Sequence, residues 1–475
     1  MPIRKEVSMK SERKRDVSLT RIRLTEIAGC LVAVLFIISF AWKYLAGPMM
    51  KPDAAATKNA ITYEAIENYM IEGEILDRSG SVIMGGGDAG VGISADYPDN
   101  YSFAWLLGYY SVSADGENRY GIRGNTSSYS MFTLDKNNRG ATTRLTVDEG
   151  LQNFAWESLL AGQEGSVIVI DNDSGAILCL ASQSTIDYDV NDVSTLLYSD
   201  VPDSQYRRGT FENDPPGSTF KIITAAAALQ KAEEEDLGED WFYYYDDGTY
   251  TPEGDDFTIT NYGDYSYGDL DLETAMNNSV NCYFADLGIK VGQTALQSMA
   301  EQFLVGQDIE IPFLGTLHSS FSYGDGSPAY LAQAAFGQGN TEITPLHLAM
   351  IAQAVASNGE MLRPYIVDSI RSGKLPLYAH TRKKLNNCIS VSVDEKLKEI
   401  MHSTAVGYGL DEYNYGYVCA KTGTAECADG RVHTYIVGFT EDASFCISMN
   451  NSDISSNLYG TAQELVSYLN NYIYQ

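Results

Sequence analysis

Hydrophobic residues change their spacing several times along this chain, and each change predicts an element. Residues 27–46 form a 20-residue apolar run whose single charge is Lys43, about the length that crosses a bilayer core. Residues 64–144 mix short strand-like runs with Gly, Asn and Ser turns, which predicts a small polar module. Residues 148–161 read as a helix. Residues 165–171 and 176–182 are β-rich runs around an Asn-Asp-Ser-Gly turn, the pattern of a hairpin. Residues 218–232 are alanine-rich and predict a helix opening behind Pro215-Pro216-Gly217, which cannot continue one. The acidic run 233–240 closes it, 241–268 reads as a loop with short strands, and 271–288 predicts one further helix. Strands are expected at 421–424, 433–439 and 443–449, and a closing helix at 460–473. Strands at both ends of a helical middle predict an α/β layered domain whose sheet is completed by distant segments.

Charge sharpens the first of these expectations. The 475-residue chain carries a net charge of −31, yet residues 1–26 hold eight basic and four acidic side chains. Such a tail stays on the cytoplasmic side, which puts everything after residue 47 outside. Trp42 and Tyr44 suit the membrane interface, and no clear Ala-x-Ala cleavage site follows, so 27–46 is expected to be an uncleaved anchor rather than a signal peptide. The acidic remainder argues against nucleic acid as a partner and favours plain solubility. Five scattered histidines offer no metal site, and no cofactor is implied. Of the seven cysteines, Cys30 lies in the apolar run and most others in hydrophobic stretches, so buried free thiols are expected. A bridge between Cys419 and Cys427 stays open. Cys282 is read as helix packing, because no base accompanies it.

The candidate chemistry begins at Ser218 and Lys221. Three residues apart on a helix, they share a face, and an amine whose pKa is lowered can take the proton that makes serine a nucleophile. Alone the spacing is weak, since it recurs at Ser11 and Lys14. Two further motifs follow in order: Ser279-Val280-Asn281, then Lys421-Thr422-Gly423-Thr424 on a predicted edge strand.

The order Ser-x-x-Lys, Ser-x-Asn, Lys-Thr-Gly resembles that of the penicillin-binding proteins and serine β-lactamases, and the chain as a whole is similar to the class B penicillin-binding proteins. Glu74-Ile-Leu-Asp-Arg-Ser-Gly80 resembles the signature that opens the family's extracellular part, although Glu72-Gly73 stands where Arg-Gly is usual. Ser102–Tyr110, Leu145-Thr-Val-Asp148, Ala335-Phe-Gly-Gln-Gly339 and Ile343-Thr-Pro-Leu346 are further family-like stretches. The resemblance implies the penicillin-binding transpeptidase / serine β-lactamase-like fold, a five-stranded antiparallel sheet with helices on both faces. It implies a tail at 1–26, a span at 27–46, a linker and pedestal module at 47–146 and a transpeptidase domain at 147–475.

It implies, too, peptidoglycan stem peptides ending in D-Ala-D-Ala as substrate, β-lactams as covalent inhibitors, and a membrane glycosyltransferase of the shape-elongation-division class as partner. Ser218 would be the nucleophile and Lys221 its base. Ser279 would relay the proton, and Lys421 would keep the local potential positive. Asn281 would hold both Lys221 and the substrate amide. Thr422 and Thr424 would bind the terminal carboxylate, the N–H groups of Ser218 and Thr424 would hold the oxyanion, and Gly423 would leave room for the substrate. A β-lactamase, a D,D-carboxypeptidase, and a non-catalytic sensor or scaffold are the rival readings. Against the first, residues 314–320 carry no carboxylate where one class of β-lactamase keeps its glutamate. Against the sensor, a 26-residue tail has no room for a signalling domain.

Overall fold

A computed structural model describes residues 33–34, 73–85, 101–108, 110–113, 116–119, 121–130, 139–183, 213–324, 326–426, 432–450 and 458–474. The expected span at 27–46 therefore lies outside the described residues except for a helical Ala33-Val34. Among the described residues no helix is long and apolar enough to cross a membrane.

The central sheet has five strands: β1 (Gly165–Asp171), β2 (Ile177–Gln183), β3 (Cys419–Glu426), β4 (Val432–Phe439) and β5 (Ala443–Asn450), in the order β3-β4-β5-β1-β2. Every pairing is antiparallel. The expected hairpin and the expected C-terminal strands are all present, and the 421–424 strand is the edge β3. Because side chains alternate along a strand, the sheet feeds two cores. Ile168, Ile170, Tyr435 and Val437 face the larger one, with the helices α1 (Lys221–Glu235), α2 (Leu272–Asn277), α3 (Asn281–Val291), α4 (Pro345–Ala356) and α5 (Val391–Gly407). Val167, Val169, Ile436 and Ile447 face the other, closed by Leu151, Leu160 and the helix α6 (Leu458–Tyr468). Buried on both faces, β5 has no exposed position.

A second five-stranded sheet lies against this domain, in the order Leu375–Ala379, Val367–Ser372, Thr142–Leu145, Ile75–Leu76, Val82–Met84. It thus draws strands from both sides of residue 147. Asp77 makes its tight turn, its Oδ1 accepting from the N–H groups of Ser79, Gly80 and Ser81. Cys179, Cys282, Cys388, Cys419 and Cys446 are free and buried; Cys427 lies outside the described residues.

One expected element divides. Residues 271–288 are not one helix but two, α2 and α3, separated by Ser279 in the left-handed region at φ 51°. No glycine or proline marks the break. It is held from outside, by Lys221 Nζ donating to the Ser279 carbonyl at 2.7 Å.

Candidate active site

Ser218 sits in a single 3₁₀ turn, Gly217–Phe220, that runs directly into α1. Gly217 has φ 53°, and a Cβ there would lie 2.4 Å from the Thr424 carbonyl oxygen. Its N–H donates to Gly337 O at 3.1 Å, and a Cβ on Gly337 would fall 1.9 Å from Gly217 O. Backbone touches backbone on both sides of the serine turn, so only glycine fits either position. Gly423 completes the nest. A Cβ there would meet Pro216 O at 2.7 Å and Thr219 Cγ2 at 2.8 Å, so this glycine lets β3 lie against the serine turn. Ser218 itself is half-buried.

Lys221 and Lys421 are both fully buried. Lys221 Nζ lies 2.7 Å from Ser279 O, 2.9 Å from Asn281 Oδ1 and 3.1 Å from Ser279 Oγ. Lys421 Nζ lies 2.9 Å from the same Ser279 Oγ and 3.0 Å from Thr422 O. Neither lysine has a carboxylate partner among the described residues. Burial, reinforced by the charge of Lys421, pushes Lys221 well below the usual lysine range, and burial brings Lys421 down to about 7.

The proton pattern follows from the donors available. A neutral amine has two N–H bonds and one lone pair. Ser279 O accepts only, and so does Asn281 Oδ1. With Lys221 neutral, its lone pair therefore faces the Ser279 hydroxyl, which donates to it while accepting from Lys421. One hydroxyl thus links the two amines.

No hydrogen bond joins Ser218 Oγ to Lys221 Nζ in this structure, since the three Lys221 contacts go to Ser279 and Asn281. Asn281 opens α3 and ties its Nδ2 to Thr260 O at 3.3 Å. Thr422 points away from Lys421, as alternation requires, and its Oγ1 lies 3.1 Å from Tyr408 OH, which also accepts from Thr422 N at 3.3 Å. Thr424 is half-buried, with its backbone against Gly217. Tyr408, Gly337 and Asp214, which lies just before the serine turn, escaped the sequence reading as site residues. Only Gly337 sat in a stretch already singled out, at 335–339.

The description "Penicillin binding protein transpeptidase domain" matches residues 165–465, more than half of the chain. The chain belongs to this family. The peptidoglycan D,D-transpeptidase PbpA of Mycolicibacterium smegmatis is 27% identical over 398 residues, covering 74% of this chain and 78% of the relative. Stage V sporulation protein D of Bacillus subtilis is 27% identical over 439 residues, 84% of this chain and 66% of that protein. Among solved structures, the D,D-transpeptidase domain of a peptidoglycan glycosyltransferase from Eggerthella lenta superposes with a TM-score of 0.73 at 26% identity, over 85% of this chain and 99% of that one. The ceftriaxone acyl-enzyme of Mycobacterium tuberculosis penicillin-binding protein A gives 0.73 over 84% and 99%; at 24% identity it speaks to the fold. The expected transpeptidase fold, with its antiparallel sheet between helical layers, is the one found.

Proposed function

We propose that this transpeptidase-family protein is a peptidoglycan D,D-transpeptidase that β-lactams acylate at Ser218. The observation that carries it is the meeting of two buried, carboxylate-free lysines on one serine hydroxyl, beside a serine turn that backbone packing fixes against the edge strand. The relatives named above as D,D-transpeptidases support the reaction class.

In the first half-reaction Ser218 Oγ bonds to the carbonyl carbon between two D-alanines and gives its proton to neutral Lys221, whose lone pair turns from the Ser279 hydroxyl to take it. The developing oxyanion rests between the N–H groups of Ser218 and Thr424, which replace water by fixed donors. The C–N bond then breaks, and the terminal D-alanine leaves with a proton delivered through Ser279. In the second half-reaction a neighbouring stem's amine attacks the ester, loses its proton to the same relay, and the ester C–O bond breaks to restore Ser218. Asn281 holds the donor amide and keeps Lys221 in place. Lys421 sets a positive potential, and Thr424 binds the terminal carboxylate. The Thr422 hydroxyl is already engaged by Tyr408, so its part is to seat β3 rather than to meet substrate.

The basic tail and the apolar run 27–46 favour a single-pass anchor with the tail in the cytoplasm and the catalytic domain outside. There a membrane glycosyltransferase of the shape-elongation-division class would supply the glycan strands.

Intact mass of the full chain after penicillin, beside Ser218→Ala, is the test. A lasting adduct on the wild type, absent from Ser218→Ala, is expected. An adduct that decays as drug is hydrolysed would make the protein a β-lactamase, and no adduct would remove Ser218 as nucleophile.

A further inference from the structure

Four residues before Ser218 stands a carboxylate that the chemistry above does not use. Asp214 Oδ2 lies 3.0 Å from His433 Nδ1, with the histidine side chain 1% exposed and the aspartate 12%. The contact is short but poorly aligned for a hydrogen bond, and no hydrogen bond to the buried Nε2 is found among the described residues. Leaving buried polar atoms in such a state is costly unless the arrangement serves something.

The neighbours say what it serves. His433 lies on β4, directly across from Ala425 of β3, and the adjacent pair in that ladder is Thr434 with Thr424. Thr424 carries one of the two N–H groups assigned to the oxyanion, and Ser218 carries the other. On the Ser218 side, Ile343 N donates to Asp214 O at 3.0 Å and Gly217 N donates to Gly337 O at 3.1 Å. The segment 214–217 is thus tied by its backbone to residues 337–343. It meets the sheet through the Gly217–Thr424 packing at one end and the Asp214–His433 contact at the other.

We propose that Asp214 and His433 form a clamp that sets the spacing of the Ser218 and Thr424 N–H groups. They are positioning residues, remote from the reacting atoms, and the proposal rests on the reading of Ser218 as the acylated serine. A clamp of this kind acts on the transition state, whose oxyanion feels the spacing, and much less on initial binding.

The test is stopped-flow acylation of the full chain by penicillin G, resolved into a non-covalent affinity and a first-order acylation rate. Asp214→Ala is expected to slow the acylation rate about tenfold, the size of coupling usual for contacting buried groups, with affinity within about twofold of wild type. Asp214→Asn keeps an acceptor for His433 and is expected to recover most of the lost rate. The double variant Asp214→Ala/His433→Gln should be no slower than the slower single variant, because each breaks the same contact. Rates are normalised to the fraction of folded protein, so simple loss of stability does not register. Wild-type rates in the single variants, a loss confined to affinity, or additive losses would overturn the clamp. Absence of an adduct on the wild type would instead overturn the assignment of Ser218.

Discussion

Buried charge is handled in opposite ways at two places in this molecule. On α5, Lys398 reaches back one turn to Asp394, 2.7 Å away, and the aspartate is fully buried. Desolvation raises the Asp394 carboxyl to about 6 even though Lys398 opposes it, so a structural charge is kept by giving it a counter-charge. At the active site Lys221 and Lys421 are buried without a carboxylate beside them among the described residues, and they meet across one hydroxyl. There the burial is accommodated by loss of a proton. A lysine given an acid is part of the frame, whereas one denied an acid becomes a base.

Replacing each lysine breaks that contrast most sharply. Lys221→Met is expected to cut the acylation rate by about 10²–10⁴, the usual worth of a positioned base, and to lower the melting temperature, because Ser279 O and Asn281 Oδ1 lose their donor. Stopped-flow acylation and a thermal melt check both halves. Gly423→Ala should follow. Its Cβ would lie 2.7 Å from Pro216 O, backbone that cannot step aside, so both acylation and stability should fall, the latter by about 1–3 kcal/mol as for overpacked sites.

Asp394→Asn tests the structural member of the comparison. It should lower stability by about 1–3 kcal/mol in urea titration and leave acylation per folded molecule within about twofold, since the pair lies outside the site. A further prediction concerns pH. Lys421 titrates near 7, below its ordinary value of 10.5. Its folded pKa being depressed, the unfolded chain binds the extra proton between those values. The penalty for burying this lysine is thus full below about pH 7 and fades as pH rises toward 10.5. Stability of Lys421→Met relative to wild type should therefore be highest near pH 6 and converge in alkali. Acylation by the wild type should decline above about pH 7 as Lys421 loses its charge.

How much of this was legible in the sequence depends on the range of the interaction involved. The central strands, α1 and the three motifs rest on local pattern, and these were readable from alternation, alanine content and spacing. The break at Ser279 was not, because its left-handed backbone is imposed by an amine 58 positions away. Gly423 was noticed for its missing side chain, yet what fills the space is Pro216 and Thr219, which sequence spacing cannot show. The second sheet presents the same difficulty, since two of its strands, side by side at one edge, return from residues 367–379. Asp214 and His433 stand 219 residues apart, and neither belongs to a motif.

The five buried thiols have a practical consequence. Burial holds Cys179, Cys282, Cys388 and Cys419 up at about 12, and Cys446 higher still, so in the folded protein almost none exists as thiolate at neutral pH. They are thereby shielded from disulfide exchange and from alkylating reagents for as long as the cores stay closed. Each becomes a silent marker that reacts only when its own part of the molecule opens. Cys282 and Cys419, beside Asn281 and on β3, would report breathing around the catalytic residues, while Cys446 in the middle of the sheet would be tagged last.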